Sequence, residues 1–437
     1  MKPLVVCSII ASFFFTLSLS AHAQESSPAP TASLPLPSIA PDADPATATR
    51  AWLDTVPPDK RAKSDAYFEG GYWLILWNFL VNAAVMLFLL NSRISAKLRD
   101  FAERCTRFKA IQTIIYAIPF VAIAALLQSP LTVYEHFFRE HKYELATQTF
   151  GPWLGEQFKA LLLGMIGLSI LLMLLYPVFR RAPRTCWIWA TIVVTVFQLA
   201  AQFIFPVFVA PIFNKYTPLE DPPLRESILS LARANQIPVD KVFVVDASRQ
   251  TTRVSANVSG FLGTTRIALN DNLLNQCTLP EIRQVMGHEM GHYVLNHGMK
   301  LTIYLTLIFL VGFALIRVLF EAAVRRWGEQ WGVRGLADLA GFPLIVLLLS
   351  AYIFLLTPVI NSAVRVTEAE ADIFGINAAR EPDGFAKVAL KLGTYRKLDP
   401  TPLEEIFFFD HPSGRARIRM AMDWKAAHVP CGSETAP

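Results

Sequence analysis

The chain reads as an α-helical integral membrane protein carrying a small α+β domain that a transmembrane hairpin splits in two. Three observations predict this class. Of its 437 residues 53% are apolar and 17% charged, where a soluble domain carries about 25% charged residues, and the mean hydropathy is +0.38. Six apolar runs, Gly71–Leu90, Ile111–Leu127, Trp153–Phe179, Trp187–Ala210, Leu301–Phe320 and Leu339–Ile360, are near or above the roughly 20 residues that cross a hydrocarbon core of about 30 Å. Two stretches of mixed composition, 211–300 and 361–437, flank the last two runs. A hairpin of two spans returns the chain to the side it left, so these stretches can form one domain.

Residues 1–23 are a shorter apolar segment with Lys2 in front and Ala21-His22-Ala23 at the end, the pattern of a signal peptide; a first membrane span is the competing reading. Residues 24–70, rich in Pro, Ala and Ser to about Ala48, read as a flexible linker and pre-membrane segment. Residues 71–210 then hold four spans, 211–300 the first part of the α+β domain, 301–360 the hairpin and 361–437 the second part. Within 211–300, Pro222–Asn235 lines Leu224, Ile228 and Leu231 along one side of a helix. Val242–Val245, Arg253–Phe261 and Arg266–Leu269 read as short strands from their β-branched content and the breaks at Gly260 and Gly263. Thr278-Leu279-Pro280-Glu281 has the pattern of a capping box with proline in the first turn. Ile282, Val285, Met286 and Tyr293 continue it as an apolar stripe at helical spacing.

Charge orients the spans. The loop after the first long run carries Arg93, Lys97, Arg99, Arg104, Arg107 and Lys109, that after the third Arg180, Arg181 and Arg184, and that after the fifth Arg325, Arg326 and Arg334. The intervening loop Ser129–Phe150 holds only Arg139 and Lys142. Lys and Arg in short loops stay cytoplasmic, so 211–300 and 361–437 face the other side, the periplasm if the lipid bilayer is a bacterial inner membrane. The net charge of +5 is accounted for by these flanks and calls for no nucleic acid. Five cysteines include no C-x-x-C pair; Cys105 and Cys186 fall in basic loops, and Cys277 and Cys431 share the outer side, where a disulfide is allowed. Ionisable residues in the runs are few, chiefly Glu156, Lys159 and Arg317 near their ends, which disfavours the alternative of a non-catalytic membrane binding protein or transporter with a retained metal site.

The chemistry lies in His288-Glu289-Met290-Gly291-His292. Histidines four apart project from one helix face and can share a metal ion, and the adjacent carboxylate of Glu289 can take a proton from metal-bound water. Catalytic zinc takes three protein ligands and keeps one position open. Cys277, His297, His411 and the cluster Glu368-Ala369-Glu370-Ala371-Asp372 are candidates for the third. His297 follows His288 by nine residues, about 900° of helical rotation, which turns it to the opposite side. Glu368 and Asp372 are four apart, so one helix face could offer a ligand and a carboxylate that orients a ligating histidine. Alone, such a cluster is more often a solvated helix face.

H-E-M-G-H-Y-V-L-N-H, then E-A-E-A-D, then H-P-S-G-R-A-R-I resemble the signature blocks of the type I CAAX prenyl proteases, multi-spanning membrane zinc metallopeptidases of the gluzincin type. The resemblance extends back through Pro211-Ile212-Phe213-Asn214-Lys215-Tyr216-Thr217-Pro218-Leu219, Val244-Val245-Asp246 and Ser255-Ala256-Asn257, and covers roughly residues 60 to 425. It implies one Zn2+ per chain held by His288, His292 and Glu368, with Glu289 as general base. It further implies Asp372 behind a ligand, His411 as donor to the tetrahedral intermediate, Arg417 organising that corner and Asn257 on a substrate-binding edge. The chain departs from the pattern at Ala369, where the family often has a bulky aromatic. The implied substrate is a peptide or protein, prenylated or not; nothing in the chain reads lipid or cysteine recognition. A periplasm-facing quality-control protease of non-prenylated membrane or misfolded proteins is the alternative. Eukaryotic relatives are described as exposing their catalytic loops to the cytosol, against the side the charges select here.

Overall fold

In the computed structural model the described residues are Pro37, Ile39, 43–260 and 265–429. The signal-peptide segment and Cys431 of the proposed disulfide lie outside them. Six helices among the described residues are long and apolar enough to cross a membrane, as the six runs predict. Helix α1, Pro45–Asp54, is capped by Asp44, whose Oδ1 accepts from the Ala46 amide at 2.8 Å. It overlaps the linker expected up to about Ala48 only at its end, most of that stretch lying outside the described residues: Trp52 is 1% exposed, and with Ala48 and Leu53 it packs on Phe385, Ile418 and Met422 of the C-terminal part. Burying an indole offsets the ordering cost that the Pro/Ala-rich composition suggested would win.

The first long helix, α2, runs Pro58–Asn91 and so starts well before the boundary expected at residue 71. After a short α3, Ile94–Cys105, come α4, Lys109–Lys142, α5, Phe150–Arg181, and α6, Cys186–Phe213. Their inward faces make one apolar core with Leu89, Leu90, Tyr116, Leu172, Tyr176, Phe309 and Phe320, while Leu126, Val196, Val311 and Leu355 stay exposed, as lipid-facing side chains must. The three basic loops gather at one end: Arg93 Nε donates to the Gln330 carbonyl at 2.7 Å, Arg334 pairs with Glu103 at 3.0 Å, Arg99 pairs with Asp338, and Arg317, at the end of the fifth run, donates to the Arg184 carbonyl. The weakly charged loop meets the mixed domain at the other end, where the Thr147 amide donates to the Gln250 carbonyl at 3.1 Å and Arg253 pairs with Glu140 at 2.6 Å.

The mixed domain holds strands β1, Tyr216–Pro218, β2, Val242–Val245, β3, Ala256–Ser259, and β4, Arg266–Asn270, in the order β1-β2-β4-β3. Strand β2 lies parallel to β4, and β3 pairs antiparallel with β4 through Asn257↔Ala268, which makes β3 an edge. The strand expected over Arg253–Phe261 begins later, at Ala256, because Arg253 turns to Glu140 and its carbonyl accepts from Asn270 Nδ2 at 2.7 Å; Phe261 lies outside the described residues. Between β1 and β2 lies α7, Pro222–Ala234, with Ile228 and Leu231 buried as the stripe requires. Then follow α8, Asp271–Gln276, and α9, Leu279–Val294, which opens with the expected capping box: the Thr278 amide donates to Glu281 Oε2 at 2.5 Å.

Two features of the next helices position the site. Helix α9 stops at Asn296, whose φ of 53° is left-handed, and α10, His297–Trp331, starts afresh. Helix α11, Phe342–Ala379, then runs 38 residues unbroken, so the last span and the acidic cluster share one helix; the boundaries expected at 301 and 361 cut through α10 and α11. Glycines bring α9 against α11: a Cβ on Gly287 would lie 2.9 Å from the Gly375 carbonyl, and one on Gly291 would lie 3.2 Å from Ala371 Cα. Such small-residue contacts let backbones approach where any larger side chain would hold them apart. The domain closes with α12, Pro382–Leu392, α13, Pro402–Phe408, and α14, Gly414–His428.

Candidate metal centre

The close α9–α11 contact sets the two motif histidines opposite the acidic cluster. His288 and His292 point their Nε2 atoms inward, 3.1 Å apart. Glu368 faces both, Oε2 at 3.3 Å from His288 Nε2 and Oε1 at 3.6 Å from His292 Nε2. Donors about 2.0–2.1 Å from a tetrahedral ion stand about 3.3–3.4 Å from one another, and these three edges scatter around that value. Glu368 Oε2 is buried without a hydrogen-bond partner, a cost that a cation would remove. The donor set fits a metal ion.

The surrounding side chains hold this geometry. Asp372, four residues along α11 from Glu368, takes His288 Nδ1 at 2.8 Å and Arg417 Nε, from α14, at 2.7 Å. Burial disfavours a charged His288, yet Asp372 and then Glu368 hold its imidazolium up to about 10, so the centre attracts positive charge. Burial and the neighbouring His288 charge push His292 down to about 4. Glu289 stands beside the pair on α9, and burial, countered in part by the His288 charge, pushes it up to about 7. His411, between α13 and α14, brings Nε2 to 3.2 Å from Glu368 Oε2 and Nδ1 to 2.8 Å from Asp410. Burial and the charge of Arg396 hold it down to about 4. Arg417 also approaches Glu368 Oε2 at 3.6 Å. Asn257 stands exposed on β3, which lies against α9, its Oδ1 accepting from Ser259 Oγ at 3.1 Å.

His288, Glu289, His292, Glu368, Asp372, His411 and Arg417 therefore meet in one place, with Asn257 on the neighbouring edge. One expectation fails. His297 does not face away: its Nδ1 lies 2.9 Å from His292 Nδ1 and its Nε2 lies 3.1 Å from Glu370. The rotation argument assumed one continuous helix, and the left-handed Asn296 resets the phase. That asparagine, a residue that tolerates φ > 0, was the available signal. Asp410 and Lys300 were likewise missed, and Glu370, named only within the acidic cluster, was not expected to bond His297 and Lys300, the latter at 2.6 Å, because these roles depend on partners distant in sequence.

Residues 46–215 match the model described as CAAX prenyl protease N-terminal, five membrane helices, and residues 218–425 match Peptidase family M48. A Bacillus subtilis (strain 168) protein named uncharacterized metalloprotease YhfN is 31% identical over 367 residues, 83% of this chain and 86% of that one. An Arabidopsis thaliana CAAX prenyl protease 1 homolog is 30% identical over 306 residues, 66% of this chain and 68% of that one. The crystal structure of S. mikatae Ste24p shares the fold, with a TM-score of 0.71 at 23% identity over 96% of this chain and 98% of that one. Membrane bundle and metal domain are thus matched in order along most of the chain, which belongs to peptidase family M48 as a multi-spanning membrane metallopeptidase resembling the CAAX prenyl proteases.

Proposed function

We propose that the protein is a zinc-dependent endopeptidase that takes an extended segment of a peptide or protein along β3 and hydrolyses one of its bonds beside α9. The observation that carries this is the near-tetrahedral spacing of His288 Nε2, His292 Nε2 and the Glu368 carboxylate with Glu289 adjoining. Those three residues would hold one zinc per chain and leave a fourth position open. Bound zinc would supply a Lewis acid that makes water nucleophilic near neutral pH.

The chain's own groups do the rest. Asp372 accepts from His288 Nδ1–H, which leaves the Nε2 lone pair free for the ion that these residues would hold, and Arg417 keeps Asp372 ionised and in place. Glu289 takes the proton of the attacking water and passes it to the leaving amine. His411 can give Nε2–H to the developing oxyanion once it is an imidazolium, a form that burial and Arg396 oppose and that Asp410, on Nδ1, favours. The unpaired edge of β3 around Asn257 would add the substrate as a strand, a mode that reads backbone and places few demands on sequence.

Glu289→Gln should keep one zinc per chain and lose cleavage by at least about a hundredfold, the scale of general-base loss. Retained activity in that variant would sink the mechanism. Several relatives are named CAAX prenyl proteases, which makes a C-a-a-X tail one substrate to offer. Non-prenylated membrane or misfolded proteins are the other, favoured by the basic loops gathering at the end remote from the metal centre, which would put the centre on the periplasmic side of a bacterial inner membrane. A farnesylated C-a-a-X peptide and its unprenylated twin, assayed side by side, separate the two. Equal rates would dismiss lipid recognition.

A further inference from the structure

We infer that His297 is a positioning residue for His292, acting through a hydrogen-bond relay that ends on Glu370, a carboxylate held in turn by Lys300; the inference rests on the zinc reading above. His292 turns Nε2 towards His288 and Glu368, which leaves Nδ1 on its far side. There His297 Nδ1 waits at 2.9 Å, with the two rings 76° from coplanar. His297 is 1% exposed, so water does not supply its partners.

Two ring nitrogens at this distance bond only if one carries hydrogen and the other does not. A neutral histidine that ligates through Nε2 carries its proton on Nδ1, so His292 donates and His297 Nδ1 accepts. The proton of neutral His297 is then on Nε2, where it is given to Glu370 Oε2 at 3.1 Å. Lys300 Nζ closes the chain on both Glu370 oxygens at 2.6 and 2.7 Å. Both histidines donate towards Glu370, which Lys300 holds by donating from the other side, and the relay fixes the tautomer and the plane of the ligand.

The device parallels His288–Asp372–Arg417 but inserts an imidazole between ligand and carboxylate. It also gives the helix break at Asn296 a purpose. His297 reaches the back of His292 only because α10 begins there with a new phase. Glu370 comes from the same helix as Glu368, so α11 supplies a ligand on one face and the anchor of the other ligand's support two residues on.

The test is zinc affinity of the purified full-length protein, by competition with a chromophoric chelator, together with the absorption spectrum of the cobalt-loaded protein. His297→Phe keeps the ring but removes the acceptor, and zinc binding should weaken about 10- to 100-fold, the range for lost outer support. His297→Asn places Oδ1 where Nδ1 was and should recover most of that loss and the wild-type cobalt spectrum. Wild-type affinity in His297→Phe, or equal losses in the Phe and Asn variants, would overturn the relay. Should His297→Phe not fold, Glu370→Leu, at a side chain 39% exposed, carries the same test: a severalfold loss supports the relay and none overturns it. Failure of the wild type to bind zinc, or undiminished binding in His292→Ala, would instead bring down the zinc reading itself.

Discussion

Arg417 and Asp372 show what a buried charge pair does at this centre. Their side chains are 7% and 2% exposed, so removing one leaves the other charged in a dry place. Arg417→Met should cost about 3–5 kcal/mol of stability, the range for an orphaned buried charge, and should loosen zinc, because Asp372 no longer holds His288 in one orientation. Arg419, two residues along the same helix, forms its pair with Asp423 in solvent, at 48% and 51% exposure. Arg419→Met should therefore cost less than about 1 kcal/mol. Thermal unfolding of both variants in detergent checks the contrast; equal midpoints would mean that the buried pair contributes no more than a surface one.

At the scale of elements, the site depends on how closely α9 and α11 approach. His288 is on one helix and Glu368 on the other, and the contact between them is glycine on glycine. A Cβ on Gly375 would lie 2.8 Å from the His288 amide nitrogen, closer than any ordinary contact, and a backbone cannot swing aside as a side chain can. Gly375→Ala must therefore push the ligand helices apart. Misplacement by about 1 Å can cost catalysis a hundredfold, so we expect Gly375→Ala to lose most of its activity and to bind zinc more weakly. Gly155→Ala, near the start of α5 with nothing within 4 Å of the added Cβ, should leave both unchanged. Matched activities of the two variants would show that α9 and α11 tolerate separation.

For the whole molecule the open question is sidedness. Helix α10 is 35 residues long, about 50 Å, and joins the metal centre at His297 to the basic end at Trp331, beside Arg93. Helix α1 packs on the metal domain, so the chain ahead of the first span and the domain after the last lie at the same end, as six crossings require. With Lys and Arg held in the cytoplasm, a reporter active only in the periplasm should be on when fused after Met420 and off when fused after Arg104. The reverse pattern would place the centre in the cytoplasm and remove any case for a Cys277–Cys431 disulfide.

What the sequence by itself determined is whatever a local repeat can encode. Apolar runs of span length, the capping box at Thr278, the four-residue spacings His288–His292 and Glu368–Asp372, and the strand Val242–Val245 each depend on one helix or strand, and each is found where its pattern stands. The resemblance to a family named the ligand set, but periodicity alone turned His297 away and left His411 and Cys277 beside Glu368 as candidates. Tertiary structure decided the rest. It docked α1 on the metal domain, because Trp52 buries only against partners far along the chain. It also joined span and acidic cluster into one helix. It turned His297 inward through a single left-handed residue, a change of helical phase that no count of residues predicts. Above all it fixed the distance between α9 and α11, which sets whether two histidines and a carboxylate surround one point. That distance is a property of glycine contacts between helices joined through a membrane hairpin, and no spacing within either helix contains it.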